Sequence, residues 1–312
     1  RQRQMCIRDR CGTAPVAAGR VVAVRTRMPE GPEIRLAADK IARVLVGRPV
    51  VAVEFGLPAL DRYRRRLEGS TVTAVETRGK AMLTRFDNDL SLYSHNQLYG
   101  RWYTTRRPRL PATGRSLRVA LHTATHSALL YSASDIDVLT PEEEATHAFL
   151  SRVGPDILDR NLNTDAVLQR LQDKRFRNRG AGALYLDQAF LAGNGNYLRS
   201  EILHVARVHP AERPADIDTR RLRELARLTL VISRRSYRTR GITVTPTLDK
   251  SLREQGLGFE RRRFYVFGRA GKPCHHCGSR IEHTTVGSRR LYLCPDCQPR
   301  RIKRPRKADT DA

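Results

Sequence analysis

The 312-residue sequence has no apolar run approaching the ~18 residues that a membrane-spanning helix needs. Only 6% of its residues are aromatic, and no helical segment pairs a basic face with exposed Trp or Phe, which disfavours membrane-surface binding. The Gly-rich stretch GNGN at 193–196 lacks both the GK[ST] of a P-loop and the full GxGxxG of a dinucleotide-binding fold. These absences argue against membrane proteins and against both kinds of nucleotide-binding enzyme.

Acidic residues are few. Asp and Glu number 32 against 58 Lys and Arg, which gives a formal net charge of +26 and a pI of about 10.9. Any single basic run is typical of a solvated surface, but together the runs predict a polyanionic partner and favour nucleic acid over a membrane surface. The basic runs lie at 62–66, 174–179, 220–240, 261–263 and 300–307.

Residues 1–27 have no structural pattern, begin with Arg and contain no continuous apolar segment of the kind found in signal peptides. We expect them to be a non-native or unprocessed N-terminal extension. The segment carries seven Arg and one Asp, so the formal net charge without it falls from +26 to +20.

Six cysteines are present, and two of them, Cys6 and Cys11, lie in this extension. The other four form two CxxC pairs separated by sixteen residues, which is the spacing of a four-thiolate zinc site in a reducing compartment. Four thiolates complete the coordination sphere, so one structural zinc ion is predicted and His275, His276 and His283 are not needed as ligands. The predicted ligands are Cys274, Cys277, Cys294 and Cys297.

The periodicity of the chain predicts an α+β protein. A helix at 34–46 precedes short alternating or β-branched runs between 50 and 132, which indicate a β-sandwich. We therefore predict a catalytic β-sandwich domain at 28–150, a helical domain at 151–258, a zinc β-hairpin at 259–298 and a basic disordered tail at 299–312. Within the helical domain we expect the polar segment 241–258 to be a loop.

The run MPEGPE at 28–33 offers an unusual nucleophile. If translation starts at Met28 and the Met is removed, Pro29 becomes a free secondary amine, and α-amino groups titrate at ~7.7–8.0. The positive end of the following helix further disfavours protonation of this amine. A neutral amine can attack an aldehyde-level carbon to form an iminium ion, and Glu30 lies beside it as a candidate acid/base. Taken alone, the run is equally typical of an ordinary helix N-terminus.

The chain resembles the formamidopyrimidine-DNA glycosylase/endonuclease VIII family from residue 28 to residue 298, most closely its bacterial endonuclease VIII members. The resemblance rests on collinear stretches that include MPEGPEIRLAADKIARVLVGRPV, VETRGKAMLT, LYSHNQLYG, FLSRVGPDIL, LDQAFLAGNGNYLRSEIL and SRRLYLCPDCQ. It implies that 151–258 holds a helix-two-turn-helix motif and that the zinc hairpin lies against DNA.

The resemblance also implies an activity. The protein is expected to be a bifunctional DNA glycosylase and AP lyase of base excision repair that excises oxidised pyrimidines and nicks the strand by β,δ-elimination. Its expected partner is double-stranded DNA containing oxidised bases or abasic sites. We expect a monomer, without a membrane, in the bacterial cytoplasm in association with the nucleoid.

Site residues follow from the matched motifs. Pro29 is the expected nucleophile and Glu30 the proton shuttle, while Lys80 and Arg289 contact the phosphates beside the lesion. Without the family match, Lys80 reads as an exposed hairpin lysine and the GNGN stretch as an ordinary helix-start turn. The expected DNA-binding residues are the wedge Gln97-Leu98-Tyr99, which fills the space of the extruded nucleotide, together with Arg152 and Asn196.

Two alternatives remain open at this point. One is a relative specific for oxidised purines, which the adjacent Gln-Leu-Tyr wedge disfavours and the long loop at 243–258 favours. The other is a non-catalytic zinc-finger DNA-binding protein, which holds if Pro29 is not N-terminal, because an amide nitrogen cannot form an iminium.

Overall fold

The computed structural model describes residues 29–301, so the predicted extension at 1–27 and most of the predicted tail at 299–312 lie outside the described residues. Eight antiparallel strands form two four-stranded sheets, in the orders β1-β6-β7-β5 and β2-β3-β4-β8. Their bounds are β1 Ala52–Phe55, β2 Val72–Arg78, β3 Ala81–Phe86, β4 Ser91–His95, β5 Arg101–Arg106, β6 Leu117–His122, β7 His126–Tyr131 and β8 Asp135–Leu139. The predicted sandwich is confirmed.

Two of these strands, β5 and β8, are not evident in the sequence. The first begins and ends with an exposed arginine, and the second has acidic residues at alternate positions. Each is an edge strand, with only one hydrogen-bonded neighbour. The charged residues of these two short strands obscure the few apolar ones on which a strand prediction depends.

Helix α1, Gly31–Leu45, packs on the sandwich with Pro32 in its first turn. Its buried face is the apolar stripe of Ile34, Ala38, Ile41 and Leu45, whose spacing places them on one side of a helix. These residues share a core with strands of both sheets. The helix thus carries residues 29–33 to the edge of the sandwich that faces the helical part of the chain.

The helical part has a second core of its own. Its longest helices are α6, Asn196–Val205, and α7, Thr219–Arg238, and both pack against each other. A 3-10 helix at Pro58–Tyr63 lies in the sandwich part and another at Pro214–Asp216 in the helical part. The remaining helices up to this point are α2 Arg64–Leu67, α3 Pro141–Thr146, α4 Thr164–Gln172 and α5 Ala181–Leu184.

The prediction of a loop over 241–258 is wrong, because this segment contains helix α8, Pro246–Glu254. The Thr245 hydroxyl caps the helix by accepting from the Leu248 N–H, and Pro246 opens its first turn. Asp249 then forms ion pairs with Arg253, one turn later, and with Arg262. The Thr-Pro start signal was present in the sequence, but the charged surface of the helix obscured it.

The C-terminal part contains α9, Phe259–Arg262, and a hairpin of β9, Glu282–Val286, with β10, Arg289–Leu293. Leu291 and Leu293 of β10 are buried in the same core as the helical part. The hairpin is therefore packed onto the helices along one face. None of the helices within residues 29–301 combines the length and apolarity that crossing a bilayer requires.

Candidate active site and metal centre

Pro29 lies on the wall of two cavities that flank the start of α1. The smaller one, of about 350 Å³, is lined by Lys80, His95 and Arg289 together with Gln188 of the helical part. The larger, of about 510 Å³, lies between α1, β5 and the turn at 96–100. The structure thus brings three predicted catalytic residues, Pro29, Lys80 and Arg289, to one cavity. Pro29 and Arg289 are 260 positions apart in the sequence.

Glu30 is buried behind this cavity and is held by a helix of the other part of the chain. Its Oε1 accepts from the Tyr197 N–H at 2.7 Å and its Oε2 from the Leu198 N–H at 3.1 Å. Both amides lie in the first turn of α6, where N–H groups have no partner within the helix. Gly195 makes this approach possible, because a Cβ there would lie 2.3 Å from the Glu30 Cδ.

The surroundings of Glu30 favour a carboxyl that exchanges protons near neutrality. Burial raises its pKa from 4.5 to about 7, and the positive charge of Lys80 opposes part of that rise. Burial likewise lowers the pKa of Lys80, which Glu30 counteracts and Arg289 reinforces. An acid with a pKa near the working pH is well suited to general acid–base catalysis.

Glu33, one turn along α1, orients the start of the helix. Its Oε2 accepts from the Glu30 backbone N–H at 3.0 Å, and its carboxylate also accepts from the Tyr197 hydroxyl. Burial raises the pKa of Glu33. Two adjacent glutamates are therefore fixed to the same tyrosine of α6, one through its backbone and one through its side chain.

Lys80 occupies the turn between β2 and β3, as predicted. The preceding Gly79 has φ +65° and packs so tightly that a Cβ would lie 2.7 Å from the Cβ of Ala192. Asp156 fixes this turn, because its Oδ2 accepts from the Gly79 N–H at 2.8 Å and from the Thr77 hydroxyl at 3.2 Å. Sequence reasoning missed this role of Asp156, because the residues around it give no sign of a hydrogen-bond partner so far away in the sequence.

The predicted wedge, Gln97-Leu98-Tyr99, forms the turn between β4 and β5 on the rim of the two cavities. Leu98 is 49% and Tyr99 62% exposed, which is unusual for large apolar side chains. The turn is closed by a hydrogen bond from the Gly100 N–H to the Asn96 carbonyl, at 2.7 Å. An exposed apolar tip beside a cavity has the shape required of a side chain that enters a base stack.

His95, just before this turn, also lines the smaller cavity. Its Nδ1 accepts from the Gln97 N–H at 3.2 Å, and burial lowers the pKa of its imidazole. Sequence reasoning passed over this histidine, although it stands in the same SHNQLYG stretch as the wedge.

Arg289 lines the smaller cavity, whereas its neighbour Arg290 does not. The hairpin turn that carries it is held by Arg199, a fully buried residue of α6 that sequence reasoning missed. The Arg199 guanidinium donates to the carbonyls of Val286, at 3.2 Å, and of Arg289, at 3.0 Å. It also donates to Asn196 Oδ1 at 2.8 Å, so the predicted DNA-binding Asn196 is tied to the same network.

Arg152 stands apart from these residues. It is exposed in the turn that joins the sandwich to the helical part, and its Nε donates to the Ala148 carbonyl at 2.7 Å. It lines neither of the two cavities. A role for Arg152 in DNA binding therefore remains a prediction.

The four cysteines converge as predicted, with all four Sγ atoms within 4.8 Å of one another. Sγ–Sγ distances are 3.9 Å for Cys274–Cys297 and 3.4 Å for Cys277–Cys294. Tetrahedral zinc with Zn–S bonds of ~2.3 Å requires sulfurs about 3.8 Å apart, so the cluster fits one zinc ion. Within residues 29–301 no histidine joins this cluster, and the predicted site is a closed, structural one.

Glu201 connects α6 to the segment that leads into this cluster. Its buried carboxylate accepts from the backbone N–H groups of Tyr265, Val266 and Phe267 and from the Thr243 hydroxyl. Burial raises its pKa, which these hydrogen bonds oppose. This anchor was also missed, because a lone glutamate in a helix carries no signal of a distant backbone partner.

Comparisons with known proteins show which family the chain belongs to. Residues 28–134 match the formamidopyrimidine-DNA glycosylase N-terminal domain, and residues 271–300 match the zinc finger found in FPG and IleRS. Endonuclease 8 of Escherichia coli K12 is 52% identical over 271 residues, which cover 87% of this chain and 100% of that protein. Endonuclease 8 of Shigella sonnei shows the same identity and coverage.

Solved structures show the same fold. The formamidopyrimidine-DNA glycosylase of Lactococcus lactis, non-covalently bound to DNA containing an AP site, superposes with a TM-score of 0.71 at 18% identity over 87% of this chain and 100% of that one. Its complex with DNA carrying an N7-benzyl-Fapy-dG gives 0.72, at the same identity and coverage. The chain therefore belongs to the formamidopyrimidine-DNA glycosylase/endonuclease VIII family, the DNA glycosylase/AP lyases of base excision repair.

Proposed function

We propose that the protein excises oxidised pyrimidines from double-stranded DNA and cleaves the strand by β,δ-elimination, with Pro29 as the nucleophile. The observation that carries this proposal is the meeting of Pro29, Lys80 and Arg289 at one cavity, with Glu30 buried directly behind them. The proposal requires a mature chain that starts at Pro29, since only a free amine can attack the sugar.

In the first step the Pro29 nitrogen attacks C1′ of the everted nucleotide, and the bond from C1′ to the base breaks. Glu30 gives a proton to the sugar-ring oxygen as the ring opens, for which a pKa of about 7 is well matched. The amine loses its proton and its lone pair forms the iminium C=N bond. The departing base takes up a proton, so the charges balance.

The iminium then makes the C2′ proton acidic. Loss of that proton expels the 3′ phosphate by β-elimination, and a second elimination expels the 5′ phosphate. The cations of Lys80 and Arg289 compensate the negative charge that develops on these leaving phosphates. Lys80 reaches the cavity from the fixed turn at 79–80. Arg289 reaches it from the start of β10, where Arg199 holds its carbonyl, and both placements support a role in orienting the phosphates.

Oxidised pyrimidines are favoured over oxidised purines by the wedge, because Gln97, Leu98 and Tyr99 form one contiguous turn. The large positive charge supports association with DNA through phosphate contacts, and hence with the nucleoid of a bacterial cell. We take the exposed Leu98 and Tyr99 to face DNA, and we propose that the protein acts as a monomer.

Borohydride trapping tests the proposal. A chain that begins at Pro29 should become covalently linked to a duplex containing an oxidised pyrimidine, while the full 312-residue chain, verified by intact mass, should not. A duplex with an oxidised purine serves as the comparison for lesion class. Equal trapping of both chains would show that another amine is the nucleophile. Preferred trapping on the duplex with the oxidised purine would show that oxidised purines, and not pyrimidines, are the substrates.

A further inference from the structure

The wedge Gln97-Leu98-Tyr99 is held from outside its own turn on both flanks. Arg115, in the connection between β5 and β6, donates from Nη1 to the Tyr99 carbonyl at 2.6 Å. Ser134, in the connection between β7 and β8, donates from its hydroxyl to Gln97 Oε1 at 3.0 Å. Two separate segments of the sandwich therefore fix the first and last residues of the wedge, and neither segment is part of the wedge turn.

The wedge has a conformation that needs such support. Gln97 has φ +48°, a left-handed backbone that residues other than glycine rarely adopt. Leu98 and Tyr99 are 49% and 62% exposed, so their apolar surface faces water in the free protein. Without external anchors, the turn could relax its backbone and fold these side chains back onto the protein surface.

Arg115 is well placed to prevent this relaxation. It is half-buried and lines the larger cavity with Lys40 and Arg101, next to Leu98. A guanidinium forms a strong hydrogen bond because its donor is charged, and the Tyr99 carbonyl is a backbone group that moves with the turn. The Arg115 N–H also donates to the Thr113 hydroxyl at 3.3 Å, which fixes the arginine's own backbone.

We propose that Arg115, assisted by Ser134, is a positioning residue that keeps the wedge extended before DNA arrives. A wedge that is already ordered enters the base stack without an additional ordering penalty, so nucleotide eversion is favoured. This inference rests on the proposed function, because it assumes that residues 97–99 fill the space of an everted nucleotide. It adds that Arg115 acts on eversion through Tyr99 and takes no part in the chemistry at Pro29.

The test compares two substrates with the chain that begins at Pro29. One is a duplex with a fully paired oxidised pyrimidine, and the other carries the same lesion within a bubble of unpaired bases, where eversion is easy. Single-turnover excision by Arg115→Met should fall about tenfold on the duplex, equivalent to ~1.4 kcal/mol, and less than twofold on the bubble. Arg115→Lys retains a donor and the charge and should recover most of the loss, and Ser134→Ala should show the same pattern more weakly.

Arg109→Met is the matched control, because Arg109 is exposed in the same connection between β5 and β6, lines neither cavity, and its loss changes the net charge equally. It should leave the duplex-to-bubble ratio unchanged, while Leu98→Ala should lower that ratio as Arg115→Met does. An unchanged ratio in Arg115→Met, whether both rates fall together or neither falls, overturns the positioning role. If the unaltered protein excises the lesion from neither the duplex nor the bubble, the proposed function itself fails, which is a distinct result.

Discussion

The carboxylate of Glu30 occupies the space that a side chain at Gly195 would need, since a Cβ on residue 195 would lie 2.3 Å from the Glu30 Cδ. The two residues belong to different parts of the molecule, one before α1 and the other at the N-cap of α6. Glu30, the proposed proton shuttle, therefore lies in a notch of the helical part beside Gly195. Both of its carboxylate oxygens accept from backbone N–H groups there.

Glu30→Gln should lose most base excision, by about 10²–10⁴-fold as expected for removal of an acid–base group, while strand cleavage at preformed abasic sites persists. An abasic sugar has already lost its base and can still react with Pro29. A glutamine amide can accept from only one of the Tyr197 and Leu198 N–H groups, so some stability should be lost as well. Single-turnover rates on a lesion duplex and on an abasic duplex, with thermal unfolding alongside, check this. Equal loss of both activities in a folded variant would refute the division of roles.

The stability of the full chain should depend on pH through Glu30. Its folded-state pKa is raised by burial from 4.5 to about 7, so between these values the folded state binds more protons than the unfolded state. The contribution of Glu30 to the unfolding free energy therefore falls as pH rises through that window, by about 3 kcal/mol in total. Urea unfolding at pH 5 and pH 7.5, which span most of this window, should show a wild-type decrease that is smaller by about 2 kcal/mol in Glu30→Gln. Parallel pH dependence in the two proteins would show that Glu30 titrates at its ordinary value.

Removal of one zinc ligand should affect DNA binding as well as metal content. Cys294→Ser leaves three thiolates and should reduce the zinc content from one ion per chain to well below that. Binding to a lesion duplex should also weaken, because β10, which begins with Arg289, ends directly before this cysteine. Metal analysis and titration with labelled duplex measure both effects. His283→Ala, at an exposed position outside the cysteine cluster, should retain zinc. Tight DNA binding by the zinc-free protein would exclude the hairpin from the interface.

Asn194 offers a route to a more stable protein. It is fully buried, and neither atom of its side-chain amide has a hydrogen-bond partner among residues 29–301. An unsatisfied buried polar group costs about 1–3 kcal/mol, and Leu has the same branched shape without polar atoms. Asn194→Leu should raise the unfolding free energy by about 1–3 kcal/mol. The control Asn163→Ala removes an asparagine whose Oδ1 caps α4 by accepting from the Ala166 N–H, and it should lower stability by ~1 kcal/mol. A fall in stability for Asn194→Leu would indicate that the amide binds water.

The sequence predicts best what depends on short-range spacing. The two CxxC pairs define the metal cluster, the apolar stripe of α1 defines its buried face, and the Gly79-Lys80 turn lies where the flanking strands require it. The wedge and Asn196 needed the family resemblance, because a turn of three residues and a helix start have many ordinary uses.

Contacts between distant segments could not be predicted in this way. Glu30 is separated from Tyr197 by 167 residues, and Arg199 from the Arg289 carbonyl by 90. Nothing in the local sequence of a buried Arg or Glu states which backbone groups will surround it, so Arg199, Glu201 and Asp156 were all missed. Helix α8 was missed for a different reason, since its apolar face is limited to Leu248 and Leu252 and most of its other residues are polar or charged.

The placement of Glu30 in the notch beside Gly195 has a consequence for partially folded forms of the chain. A sandwich part whose helical part has not yet docked would still present Pro29, Lys80 and the wedge. Its Glu30, however, would face water and keep an ordinary carboxyl pKa near 4.5, the value from which burial raises it, so it would be ionised at neutral pH and unable to supply a proton. If Glu30 has the role proposed here, base removal requires the two parts of the chain to be docked, and an undocked molecule would leave the damaged base in place.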